Sequence, residues 1–121
     1  MSRSASPAFL IGLVNYAVSR GNRVSLHSAS PGPTGRNEIS EGRQATVWGP
    51  AVMISGGAEA EGSECHFEIP AGVTCTHFGV WSGADFLYGA EIDPPVIMDE
   101  SGTLVLVPSY REEPTNEPPS T

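Results

Sequence analysis

The sequence predicts an all-β fold: a single β-sandwich or jelly-roll-like domain, preceded by one N-terminal α-helix and followed by a disordered tail. Three observations carry this. From residue 23 onward, short runs alternate apolar and polar side chains, the period of a half-buried strand. Fourteen glycines and eleven prolines are dispersed between those runs, as turns are spaced in all-β folds. One stretch alone, before residue 21, has helical periodicity. At 121 residues the chain makes one domain, large enough to bury a core.

The helix is expected over residues 7–20. Ser6 is a capping residue, and Pro7 suits the first helical position because its missing N–H is an orphan there anyway. Phe9, Leu10, Leu13, Val14, Ala17 and Val18 recur at helical spacing. Gly21 stops the helix, with Arg20 placed to complement the dipole. The apolar stripe has two uses. It covers one end of the sheet core, or it packs against copies of itself, which makes Phe9, Leu10, Leu13, Val14 and Ala17 a candidate assembly interface. Residues 1–22 are thus read as a helical arm.

The β-domain is expected over residues 23–110. Its first strand, residues 23–28, alternates Val24 and Leu26 with Ser25 and His27, so one face is expected to be buried. Ser30-Pro31-Gly32-Pro33 ends it, because proline cannot donate to a ladder. A structured loop follows to Glu38. Residues 44–48 and 51–54 read as strands, and residues 55–62, with three glycines and two glutamates, as a flexible turn region. Residues 65–69 and 73–80 alternate on either side of Pro70-Ala71-Gly72 and predict a hairpin. Residues 86–92 predict a strand that Asp93-Pro94-Pro95 terminates. Residues 96–98 are short. Residues 103–107 have no polar face and predict a central strand buried on both sides. Residues 111–121 hold three prolines, three glutamates and no apolar residue, and predict a disordered tail.

Charge narrows the function classes. The formal charge is −8, and all six basic residues are arginine. A negative field repels phosphate backbones and anionic membranes, so neither nucleic acid nor a membrane surface is an expected partner. No apolar run reaches the length of a membrane span. Residues 8–18 have some character of a signal peptide, but Asn15 and Tyr16 interrupt them and Val18-Ser19-Arg20 is not a small-x-small cleavage site. The chain is expected to stay in the cytosol until assembly.

Little in the sequence points to catalysis. Cys65, His66, Cys75 and His77 lie close together, but neighbouring strand residues face opposite ways, and the paired turn spacing of zinc sites is absent. In the predicted hairpin Cys65 and Cys75 are diagonal, about 7–8 Å apart and beyond easy bridging, so reduced thiols are expected. No nucleophile-elbow motif occurs. Asp85, Glu91, Asp93, Asp99 and Glu100 have no spacing that sets two at a working separation. Ser55-Gly56-Gly57 lacks the Lys-Ser/Thr of a phosphate loop. No enzyme activity, cofactor or metal is expected. Trp48, Trp81 and Tyr88 are candidate surface-binding aromatics. Exposed in a groove they would stack on a sugar or a partner, whereas core or interface filling is the commoner use of such residues.

Two blocks resemble a known family. One is Val24-Ser25-Leu26-His27-Ser28-Ala29-Ser30-Pro31-Gly32-Pro33-Thr34-Gly35-Arg36-Asn37-Glu38-Ile39. The other is Pro70-Ala71-Gly72-Val73-Thr74-Cys75-Thr76-His77-Phe78-Gly79-Val80-Trp81. Both are similar to stretches of small minor tail or tail-fibre-like virion proteins of tailed bacteriophages with actinobacterial hosts. The likeness spans roughly residues 8–107. It implies a virion structural protein, assembled in the host cytoplasm as a symmetric homo-oligomer among other virion proteins, with no catalytic residues to carry over. A head decoration protein and a host-wall carbohydrate-binding module are the rival expectations.

Overall fold

The computed structural model describes residues 5–39 and 42–113. Helix α1 (Pro7–Ser19) is capped as the sequence predicts: the Ser6 Oγ accepts the Phe9 N–H at 3.2 Å, and Pro7 opens the helix. Nine strands follow: β1 (Arg23–His27), β2 (Gln44–Ala45), β3 (Val52–Ile54), β4 (Gly57–Glu61), β5 (Cys65–Ile69), β6 (Thr74–Ser82), β7 (Asp85–Ile97), β8 (Gly102–Leu106) and β9 (Ser109–Glu112). The protein is all-β with one N-terminal helix.

The strands form three antiparallel sheets, ordered β2-β1-β6-β7, β3-β4-β9 and β5-β8. The main core lies between the four-stranded sheet and the β5–β8 pair. Val24, Leu26, Phe78 and Val80 meet Cys65, Phe67, Ile69 and Leu104 there. A second core lies under α1, where Leu10, Val14 and Val18 pack on Ala51, Ala58 and Ala60. Trp48 touches both cores, and its indole N–H donates to the Gly21 carbonyl at 2.9 Å. That bond ties the end of the helix to the junction.

Several sequence expectations are corrected. The predicted hairpin of residues 65–69 and 73–80 is not formed. β5 pairs with β8, through Cys65↔Leu106, Phe67↔Leu104 and Ile69↔Gly102, while β6 pairs with β1 and β7. The two strands instead face each other across the core. A lone hairpin would leave the apolar faces of both strands on one uncovered surface, and crossing between sheets buries each against the other.

Residues 55–62 are no flexible turn. Ser55 and Gly56 make a two-residue turn, with Gly56 at φ 89°, and β4 follows. Its Ala58 and Ala60 alternate with Glu59 and Glu61, and alanine is a weak strand signal. Small side chains at those positions let α1 approach the sheet.

β7 does not end at Asp93-Pro94-Pro95. The register runs from His77↔Glu91 to Cys75↔Val96, so residues 92–95 bulge opposite Thr76 alone. Prolines are tolerated there because a bulge asks for no ladder N–H. The strand at residues 44–48 shrinks to Gln44–Ala45, and Trp48 makes a single bridge to Gly62.

β8 is no central strand: only Leu104 is buried within it, and β5 is its one sheet neighbour among the described residues. Arg111 and Glu112, assigned from sequence to the tail, lie in β9 and pair with Glu59 and Ala58. The rest of the predicted tail, residues 114–121, lies outside the described residues. Among those described, no helix is long and apolar enough to cross a membrane.

Candidate functional site

β1 carries apolar residues on one face and Ser25 and His27 on the other. The sequence predicts a single buried face, yet both faces are covered: Ser25 and His27 are each 0% exposed. The cover is the loop after β1. It runs out over the sheet and returns along the end of β1, where Ser28 N–H donates to the Asn37 carbonyl at 3.1 Å and Ile39 N–H to the Leu26 carbonyl at 2.8 Å. Gly35 and Arg36 N–H groups both donate to the Pro31 carbonyl, at 2.9 and 3.0 Å. Gly35 at φ 82° and Asn37 at φ 64° supply the left-handed turns. The Asn37 side-chain amide closes the loop base on the Ser30 carbonyl at 2.8 Å.

The sheet face beneath has been kept small to receive the loop. Cross-strand pairing places Ser25 opposite Gly79, His27 opposite His77, and Gly79 opposite Gly89. A methyl at Gly79 would stand 2.8 Å from both the Ser25 Oγ and His27 Nε2. One at Gly89 would strike Pro31, and one at Gly35 would stand 2.6 Å from the Trp81 ring. Side chains there would hold the loop off the sheet.

A chain of three side-chain hydrogen bonds runs from within the sheet to the loop, and their directions follow from the chemistry. His27 Nδ1 lies 2.8 Å from the Arg36 carbonyl oxygen, which only accepts, so Nδ1 carries the proton. A neutral ring then has Nε2 as acceptor, and the Ser25 hydroxyl donates to it across 2.6 Å. The Ser25 Oγ in turn accepts the Trp81 indole N–H at 2.8 Å. The chain thus runs Trp81 to Ser25 to His27, and His27 donates to the loop backbone. Burial holds the His27 pKa below its ordinary value, against the raising effects of the Arg36 carbonyl and Glu38. His77 and Arg43 push it further down.

The outer rim is ionic. Arg43 makes a bidentate pair with Glu38, Nε to Oε2 at 2.9 Å and Nη2 to Oε1 at 3.0 Å. Its guanidinium sits over the Trp81 ring, 3.5 Å from the centroid. Phe86 closes the pocket edge-to-face on Trp81, with centroids 5.1 Å apart.

Ser25 and His27 have the spacing of a nucleophile and its base. With both fully buried and the serine oxygen held by Trp81, what the arrangement does here is pin the loop. Elsewhere, a cleft of about 280 Å³ is lined by Thr76, His77, Glu91, Ile92, Asp93 and Pro95, and a shallower hollow by Glu68, Ile69, Pro70, Ser101 and Gly102. Among the described residues no three of His, Cys, Asp and Glu gather as a metal site. Cys65 and Cys75 are buried and unbridged, though they are not the diagonal hairpin pair the sequence predicts. Burial pushes the Cys65 thiol pKa up.

The residues singled out from sequence are scattered. Of the assembly candidates, Leu10 and Val14 are buried in the protein's own second core, Leu13 and Ala17 are half-buried, and Phe9 is 55% exposed. The helix stripe therefore covers the β3-β4-β9 sheet, which resolves the two uses of that stripe for its inner residues. Trp81 is buried beneath the loop, and Trp48 and Tyr88 are half-buried. Tyr88 packs edge-to-face on Tyr110 at 4.9 Å, and burial followed by Tyr110 pushes its pKa well above the ordinary tyrosine value. These rings form no exposed stacking platform. Sequence reasoning missed the Ser25–His27–Trp81 chain. Its one visible signal was two hydrogen-bonding residues two apart in a strand, just before a Pro-Gly loop.

No protein-family model, curated protein or solved structure matches this chain.

Proposed function

We propose that this chain is a structural component of a tailed-bacteriophage virion, a minor tail protein at the tail tip or in a short fibre or adaptor, assembled in the host cytoplasm as a symmetric homo-oligomer. One observation favours an assembly role: uncharged, apolar elements lie exposed on an otherwise acidic body. Helix α1 has no charged residue, and it exposes Phe9 (55%) and Tyr16 (65%). Val52, Met53, Ile97, Val105 and Val107 are exposed on strands or beside them. Contiguous exposed apolar surface marks interaction sites, and Phe9 and Tyr16, seven residues apart, lie on one face of the helix. The acidic remainder keeps the free subunit soluble and away from packaged DNA. The phage-tail identity itself rests on the resemblance of residues 24–39 and 70–81.

Quantitative mass spectrometry of purified particles, scaled to the major capsid protein, tests this. A handful to a few dozen copies is the expected result. Hundreds of copies would move the chain to the head as a decoration protein. Absence from the particle would overturn the virion reading. A host-wall glycan role is left without its main support, because none of Trp48, Trp81 and Tyr88 is fully exposed.

A further inference from the structure

β8 is out of place for its sequence. Thr103-Leu104-Val105-Leu106-Val107 is the composition of an interior strand, yet β8 pairs with β5 on one side and has no sheet neighbour on the other among the described residues. Val105 and Val107 are 49% and 44% exposed. Proteins usually protect such an edge with lysine, proline or a bulge within the strand. Here none is present, and residues 101–110 carry no charge at all. An unblocked, apolar, β-branched edge is a template for pairing.

We propose that the free edge of β8 is a subunit interface, occupied by β8 of a second copy in antiparallel two-fold pairing about Val105. This names a contact for the oligomer proposed above and rests on that reading. The strand is self-complementary about Val105. Two-fold pairing sets Leu104 opposite Leu106 of the second copy, and Thr103 opposite Val107, the residue just past the end of β8. Directly opposed residues in an antiparallel pair share a face. The inward leucines therefore stay inward in both copies, and Thr103, Val105 and Val107 stay together outside. The two β5–β8 pairs become one four-stranded sheet, and β8 gains the interior position its composition suits.

Charge selects the same occupant. Two copies of a chain carrying −8 repel over most of their surfaces, and an uncharged strand is where they approach at least cost. The chain's own C-terminal residues are unsuited to the edge. Residues 114–121 hold three prolines, which cannot donate to a ladder, and no apolar side chain to cover the valines. A five-residue edge falls below the about 1,200 Å² of total buried surface found in standard interfaces, so the isolated pair is weak and concentration-dependent.

Sedimentation equilibrium of the full chain from about 10 µM to 1 mM is the test, run beside amide exchange of β8 at both ends of that range. Val105→Lys and Val107→Lys place a charge on half-exposed positions of the edge, and two sites guard against one variant failing to fold. Phe9→Glu probes the helix face as the rival contact, and Ala84→Lys, in the exposed turn between β6 and β7, is the charge control. The expected result is a wild-type dimer whose β8 amides gain protection with concentration, weakened at least about tenfold by either edge lysine and unchanged by Ala84→Lys. Self-association that survives both edge lysines but is lost with Phe9→Glu overturns the β8 contact and leaves the oligomer reading standing. A wild-type monomer throughout the range overturns the β8 contact, while particle mass spectrometry still decides the virion reading by itself.

Discussion

Replacing Ser25 with alanine tests the buried hydrogen-bond chain directly. The hydroxyl is both acceptor for the Trp81 indole, at 2.8 Å, and donor to His27 Nε2, at 2.6 Å. Removing it leaves two polar groups without partners in a place where Ser25 and His27 are fully buried and Trp81 nearly so. Each buried group left unsatisfied costs about 1–3 kcal/mol. The variant should therefore lose about 2–5 kcal/mol, a large share of a typical domain's stability. For a chain of this length, at about 4 °C per kcal/mol, that is a fall in Tm of about 8–20 °C. Urea unfolding followed by tryptophan fluorescence measures it, and Ser28→Ala, an exposed position just past the same strand, should change stability by no more than about 0.5 kcal/mol. Trp81→Phe supplies the second half of a double-mutant cycle. It keeps a ring but removes the N–H, so the double variant should be about 1–2 kcal/mol less destabilised than the sum of the singles. A Ser25→Ala loss under about 0.5 kcal/mol, or strict additivity in the cycle, would refute the directed chain.

The other predictions concern the same loop and the second core. His27 has a folded-state pKa below its unfolded value of 6.5, so the unfolded chain binds the proton more readily. The His27 contribution is thus fully present above pH 6.5 and is lost as pH falls from there toward the folded pKa. Urea midpoints between pH 8 and pH 5 should show that fall, and His27→Gln should flatten it. Gly79→Ala should destabilise by about 1–3 kcal/mol, because the added methyl stands 2.8 Å from both Ser25 Oγ and His27 Nε2. Faster amide exchange confined to residues 28–39 would identify the loop as what was displaced. Leu10→Ala, which empties the space between α1 and the β3-β4-β9 sheet, should cost about 2–4 kcal/mol in urea unfolding. Phe9→Ala on the outer face of the same helix should cost under about 1 kcal/mol in the monomer.

Local structure was legible in the sequence wherever a residue's own chemistry decides it. Ser6-Pro7 starts α1 because capping acts within one turn. The alternation of Val24 and Leu26, and of Cys65, Phe67 and Ile69, marked strands because period two is a property of the strand itself. From such elements, and from the spacing of glycine and proline, the all-β class with one helix followed. Tertiary structure alone decided which strands meet. β5 joins β8 rather than β6, since pairing depends on which apolar faces bury each other over long sequence separations. The same holds for Ser25 and His27. Alternation put them on the face away from Val24, and only the loop folding back over Gly79, Gly89 and Trp81 made that face an interior, where every polar group must find a partner. It holds in reverse for β8, whose residues read as interior and lie at an edge, because a strand's composition does not record how many neighbours it pairs with.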